Sequence, residues 1–107
     1  MKTQLKKGVI ELLVLGLLTQ KNHYGYEIVD TISDYVEMSE GSIYPLLKRL
    51  QKDTLVETYW EESISGPPRK YYRITEIGKA NYREMLLEWQ EFSSAVNRFL
   101  EGVDQHD

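Results

Sequence analysis

The stretch Ser42-Ile43-Tyr44-Pro45-Leu46-Leu47-Lys48-Arg49-Leu50-Gln51-Lys52 constrains this chain most. It runs into two strand-like segments joined by Ser65-Gly66-Pro67-Pro68-Arg69-Lys70. Wound at about 100° per residue, the first stretch puts Ile43, Leu46, Leu47 and Leu50 on one side. Pro45, Lys48 and Lys52 lie opposite, with Arg49 flanking. Such a helix has one face for a core and one for phosphates, because lysine and arginine neutralise phosphates and release counterions. Arginine can also read guanine in a major groove. A basic hairpin carrying Arg69, Lys70 and Arg73 beside it supplies a second grip on a duplex. Together they predict a winged helix-turn-helix that binds double-stranded DNA.

The 107 residues suffice for one domain with a modest core. Cysteine is absent, so neither a disulfide framework nor a thiolate metal site is expected, and a reducing, cytoplasmic setting is the default. The net charge of -4 is unusual for a DNA binder. Its distribution matters more than its sum. From Glu84 onward Glu84, Glu88, Glu91, Glu101, Asp104 and Asp107 face only Arg98, while cations gather at Lys2, Lys6 and Lys7, at Lys48, Arg49 and Lys52, and at Arg69, Lys70 and Arg73. A basic front with an acidic rear still attracts phosphate locally. Lys6-Lys7 before the apolar run Gly8 to Leu18 faintly imitates a secretion signal. Glu11 interrupts that run, no small-residue cleavage site follows, and the run is too short to span a bilayer, so no membrane association is expected.

Gln4 to Thr19 is apolar on nearly every side, which predicts a helix covered on more than one face, with a partner subunit as the second cover. Ile28, Val29, Ile32 and Tyr35 or Val36 predict a second helix from about Tyr24 to Tyr35. The third helix begins after Ser39 or after Ser42. The later start leaves Pro45 harmless in the first turn, whereas the earlier one makes it awkward. Leu55 to Glu62 and Arg69 to Ile74 have strand composition around a Ser63–Pro68 turn. Thr75 is placed to cap a last helix running to Leu100. That helix carries Tyr82, Met85, Trp89, Phe92, Val96, Phe99 and Val103 at alternating steps of three and four, a heptad seam. A hairpin and three short helices cannot cover a seam of that length, so a second copy is expected to do so. The fold class is therefore mainly α with a small β-hairpin. Residues 1–74 form a winged helix-turn-helix unit, and residues 75–107 a C-terminal dimerisation helix and tail.

Three segments carry a resemblance: Tyr24-Gly25-Tyr26-Glu27-Ile28, Gly41 to Leu50, and Arg69-Lys70-Tyr71-Tyr72-Arg73-Ile74-Thr75 with Gly78. They resemble the PadR family of bacterial transcriptional regulators, and the short single C-terminal helix resembles its smaller subfamily. The resemblance spans almost the whole chain. It implies a dimeric repressor, with Tyr24, Tyr44, Pro45, Lys48 and Lys70 at DNA-contacting positions. The doubled Pro67-Pro68 at the wing tip departs from the pattern. With the basic residues, the expected DNA-binding set is Tyr24, Ser42, Tyr44, Pro45, Lys48, Arg49, Lys52, Arg69 and Lys70. The expected dimer interface is Val9, Leu12, Met85, Trp89, Phe92, Val96 and Phe99.

Trp89 stands where a coiled coil prefers a smaller aliphatic residue. Two copies facing across a two-fold axis would leave a slot for a planar aromatic or phenolic effector, lined by Leu15, Met85, Trp89 and Phe92. Small PadR-like regulators that respond to such compounds agree with this. The function expected is thus a dimeric DNA-binding repressor released by a small aromatic effector. The alternative is a dimeric winged-helix protein-interaction module that does not bind DNA, since one fold serves both purposes. An enzyme, a metal site and a cofactor are not expected. His23 and His106 are the only histidines, no carboxylates have ligand spacing, and no nucleophile has a base beside it.

Overall fold

The apolar first helix is the axis around which the other elements assemble. A computed structural model describes residues 3–104, with side chains from Gly8 onward. Lys2, His106 and Asp107, and the side chains of Leu5, Lys6 and Lys7, lie outside the described residues. The elements are α1 (Thr3–Gln20), β1 (His23–Tyr24), α2 (Gly25–Ser33), α3 (Glu40–Lys52), β2 (Val56–Ser63), β3 (Gly66–Ile74) and α4 (Glu76–Asp104).

Val14 and Leu15 of α1 are fully buried, and Ile10, Leu12 and Leu18 nearly so. Ile10, Val14, Leu15 and Leu18 join Ile28 and Ile32 of α2, Ile43, Leu47 and Leu50 of α3, and Leu55, Val56, Tyr72 and Ile74 in one core. Part of the second cover of α1 comes from its own chain, while Leu13 and Leu17 still line an open groove. The first half of α4 crosses α1 within the same chain, and the Tyr82 ring lies 3.0 Å from where a Cβ on Gly16 would stand.

Helix α2 ends at Ser33, earlier than its apolar pattern suggested. The Tyr35 and Val36 amides fold back onto the Ile32 carbonyl, and Tyr35 points into solvent. Helix α3 takes the earlier start. Ser39 is its N-cap, and its carbonyl accepts from the Ser42 and Ile43 amides, both at 3.1 Å. Pro45 therefore sits in the second turn, and the acceptor it leaves without a helical donor is the carbonyl of exposed Gly41.

At its other end α3 closes with two reverse bonds, Leu55 N–H to Leu50 O at 2.9 Å and Thr54 N–H to Gln51 O at 3.1 Å. This is the glycine-favouring Schellman geometry, yet the residue in the left-handed conformation is Thr54, at φ 61°. A β-branched residue there is strained. The Thr75 hydroxyl, 2.7 Å from the Thr54 carbonyl, holds it in place. The same Thr75 oxygen accepts from the Gly78 amide at 3.0 Å and so caps α4 as expected.

The sheet has three antiparallel strands in the order β1-β3-β2. The two-residue strand β1 was not foreseen; it pairs His23 with Tyr72 and Tyr24 with Tyr71. The hairpin turn is only Ile64-Ser65, tighter than the Ser63–Pro68 loop expected, because β3 already begins at Gly66. Between Glu61↔Arg69 and Ser63↔Gly66 the register shifts, setting Glu62 against both Pro67 and Pro68. Prolines cannot donate to a ladder, and a bulge is where a strand tolerates them.

Helix α4 runs past Leu100 to Asp104, and only Gly78 within it is buried. A Cβ on Gly78 would collide with the Leu55 carbonyl, so glycine is what lets α4 cross the end of α3 this closely. Its second half projects from the body, and the molecule measures 60 × 26 × 21 Å. Among the described residues, no helix is long and apolar enough to cross a membrane, and no cluster of side chains could hold a metal ion.

Candidate nucleic-acid interface

Helix α3 divides as its sequence pattern requires. Ile43, Leu47 and Leu50 are fully buried, Leu46 is half-buried, and Ser42, Tyr44, Pro45, Lys48 and Lys52 are exposed. Among the described residues Lys48 and Lys52 pair with no carboxylate, and their ammonium groups lie on one ridge. Arg49 is different. Its Nη2 lies 2.9 Å from the Glu11 Oε2 of α1, so its charge is partly neutralised and turned toward the body.

The start of α3 meets the base of the wing and the start of α2 in a cleft of about 330 Å³ lined by Tyr24, Tyr26, Tyr44, Arg69, Lys70 and Tyr72. The α2 entry is fixed by the Glu27 carboxylate, which accepts from the Tyr24 amide at 3.1 Å. Gly25 follows, and the Tyr44 ring lies against it. Burial, and then the nearby Glu40 carboxylate, raise the Tyr44 pKa; burial, and then Tyr44, raise that of Tyr72. Both hydroxyls therefore stay protonated near neutrality and can donate to an anion.

Aromatic rings order the cations on the wing. The Arg69 guanidinium lies 4.7 Å from the Tyr24 ring centre and the Lys70 ammonium 5.8 Å from that of Tyr72. Arg73 covers Tyr59 at 5.1 Å and also bonds Glu57 at 2.9 Å. Tyr24, Tyr71 and Tyr59 form a ladder across all three strands, with ring centres 5.5 Å apart at each step. The rings hold long side chains in place at little entropic cost.

The structure thus brings Tyr24, Tyr44, Arg69 and Lys70 to one cleft, and continues it along α3 through Ser42, Pro45, Lys48 and Lys52. Arg49 stands aside. Tyr26 and Tyr72 join the cleft and were missed. The alternation of Tyr72 with Ile74 along β3 could have put Tyr72 on the inner face. His23, which no catalytic or metal role was expected to use, is buried, and its Nδ1–H donates to the Lys21 carbonyl at 2.8 Å.

The residues expected around an effector do not all meet. A groove of about 450 Å³ between α1, α2 and α4 is lined by Leu12, Leu13, Leu17, Tyr82, Leu86 and Trp89, among others. Of the expected four, only Trp89 lines it. Leu15 is sealed in the core, Met85 packs against that core, and Phe92 is exposed farther along α4. Of the expected dimer residues, Trp89, Phe92, Val96 and Phe99 are exposed, Val9 and Met85 are half-buried, and Leu12 is buried at the floor of the groove.

Residues 14–84 match the transcriptional regulator PadR-like family. A PadR-like transcriptional regulator from Bacillus cereus is 41% identical, with a TM-score of 0.84 over 92% of this chain and 97% of that one. A PadR family transcription regulator from Clostridium difficile is 34% identical, with a TM-score of 0.78 over 85% of this chain and 97% of its own. An uncharacterized protein from Lysinibacillus sphaericus is 34% identical over 96% of this chain and 98% of its length.

Proposed function

The chain belongs to the PadR-like family of transcriptional regulators, and on that premise we propose that it acts as a dimeric repressor controlled by a small planar aromatic effector. The family's members are regulators and not enzymes. One observation carries the DNA-binding reading furthest: the unpaired Lys48 and Lys52 share a continuous surface with the Tyr24–Tyr44–Lys70 cleft. In this reading α3 enters the major groove, with Lys48 and Lys52 toward phosphates and Ser42, Tyr44 and Pro45 at its leading end. Arg69 and Lys70 bring the wing to the flanking backbone or minor groove. Residues 1–74 serve as the reading unit and residues 75–107 as the means of pairing two of them.

Dimerisation is supported by the stripe Trp89, Phe92, Val96, Phe99 and Val103, left exposed on one side of α4. Isolated amphipathic helices of this kind owe their stability to packing of that face. Two copies joined there would read a pseudo-palindrome with half-sites about one helical turn apart. The effector reading rests on the apolar groove beside Trp89, with Tyr82 two turns earlier on the same helix and Leu12, Leu13 and Leu17 of α1 across from them. A compound seated there shifts the dimer from its DNA-competent form by no more than its differential affinity for the two forms.

The test is a salt series on duplex DNA. Lys48→Ala with Lys70→Ala should weaken binding and flatten the slope of log affinity against log salt by roughly 2. An unchanged slope removes both lysines from the interface. Trp89 fluorescence against a panel of planar aromatics, in a Trp60→Phe background, tests the effector. If no compound quenches it or releases DNA, control lies elsewhere.

A further inference from the structure

Trp60 is 68% exposed on the edge strand β2 and stacks on no other ring. Exposure alone assigns an indole no partner; its place in the sheet says what it would meet. Trp60 is the register partner of Lys70, as Thr58 is of Tyr72 and Val56 of Ile74. Val56, Tyr72 and Ile74 are buried beneath α3, so strand alternation puts Trp60 and Lys70 on that same face, farther out along the wing. The Gln51 amide of α3 reaches the Thr58 hydroxyl at 3.4 Å, which ties this row to the ridge bearing Lys48 and Lys52. Glu61 falls on the opposite face, across from Arg69. The indole is thus the exposed apolar group of this row, level with Lys70, with Glu62 next out along β2 at the bulge.

We infer that Trp60 is a DNA-contacting residue, its indole resting on the deoxyribose edge of the strand whose phosphates face Lys70 and Lys48. The inference rests on the DNA-binding reading above and adds a residue of different chemistry to it. Lysines supply attraction that is uniform along a duplex and falls with salt. A flat apolar ring supplies shape instead. Seated on a sugar, it fixes how far the wing stands from the recognition helix. That distance must match the groove, so Trp60 would favour sequences whose groove width suits it. The indole N–H, with no hydrogen-bond partner among the described residues, would reach a phosphate oxygen or an ordered water.

The experiment uses the full chain labelled with 5-fluorotryptophan, which carries two fluorine resonances, one for each tryptophan. Trp60→Phe assigns them by removing one. A fluorescently labelled duplex of about two helical turns is titrated in at low salt, and its anisotropy reports binding independently. The Trp60 resonance should shift in step with the anisotropy. Trp60→Ala should weaken duplex binding roughly tenfold with the salt slope unchanged, since an apolar contact releases no counterions. Lys70→Ala should lower the slope by about 1. Because Trp60 is exposed, its replacement should leave the melting temperature in place. If the duplex binds but the Trp60 resonance stays fixed, or Trp60→Ala binds as tightly as the parent, the inference is overturned while the DNA-binding reading survives. If the parent chain binds no duplex at all, both fall together.

Discussion

The ring of Tyr44 occupies the space in which a side chain on Gly25 would stand. A Cβ built on Gly25 would lie 2.7 Å from Cε1 and 2.9 Å from the hydroxyl of Tyr44. Gly25 is the first residue of α2 and has no positive φ, so its backbone does not need glycine. The packing of α3 against α2 does.

Gly25→Ala separates the site from the fold. Alanine suits a helix, and the half-exposed Tyr44 ring can swing outward. Stability should change by less than about 1 kcal/mol. Duplex affinity should fall several-fold, because Tyr44 leaves the cleft it shares with Lys70. Thermal melting and duplex titration of one preparation read both quantities. Loss of stability with affinity intact would mean that Tyr44 has no part in binding.

Thr54→Gly should stabilise the protein. Thr54 holds a left-handed conformation at φ 61° that glycine adopts freely, and its side chain bonds only the adjacent Asp53 carbonyl. Removing that strain should contribute about 1 kcal/mol and raise the melting temperature by about 4–8 °C. An unchanged or lowered melting temperature would show that the threonine is held without strain.

Phe92→Asp tests the pairing of two chains. Phe92 is 64% exposed within one chain, so the substituted chain should fold and show an unaltered circular dichroism spectrum. Across a two-fold seam the carboxylate would be buried, at a penalty of several kcal/mol. Sedimentation at micromolar concentration should find monomer. A stable dimer would leave the α4 stripe unused.

Tyr44 and Tyr72 predict an alkaline limb to stability. Burial raises both pKa values above the ordinary 10.0, so the folded chain holds these protons more tightly than the unfolded one. Their contribution is complete below pH of about 10 and is lost as pH climbs through the raised values. Tyr72→Phe should flatten the fall in melting temperature above that pH and leave it unaltered at neutrality. A limb of the same steepness in that variant would assign it to other groups.

Most of the architecture was legible because it rests on periodicity. The α3 stripe and the α4 seam repeat over enough residues to be counted, and the hairpin and the Thr75 cap carry local composition signals beside them. The failures come from relations between distant residues. Strand β1 is two residues long and exists only because β3 lies beside it. The choice of Ser39 over Ser42 as the cap puts Pro45 inside α3, against its own preference, since packing of Ile43 and Leu47 outweighs one missing bond. Leu15 reads as a candidate ligand contact only while α4 is imagined on another chain; once α4 crosses α1 within its own chain, that side chain is core. The same limit applied at the site. Charge puts Lys48 and Lys70 forward, whereas the pairing of Gly25 with Tyr44, and of Arg49 with Glu11, follows from no spacing rule.

The junction where Thr75 bonds the Thr54 and Leu55 carbonyls, and where Gly78 sits against Leu55, joins the end of α3, the start of the wing and the root of α4. Such a joint couples the three elements at one point. Helix α4 is 29 residues long and works as a lever arm of about 40 Å. A tilt of about 5° at its root displaces the far end by roughly 3.5 Å. In the proposed dimer, a small change of angle where two such arms meet would become a rotation of each wing-bearing unit, and the separation of the two units would be geared to the angle between the arms.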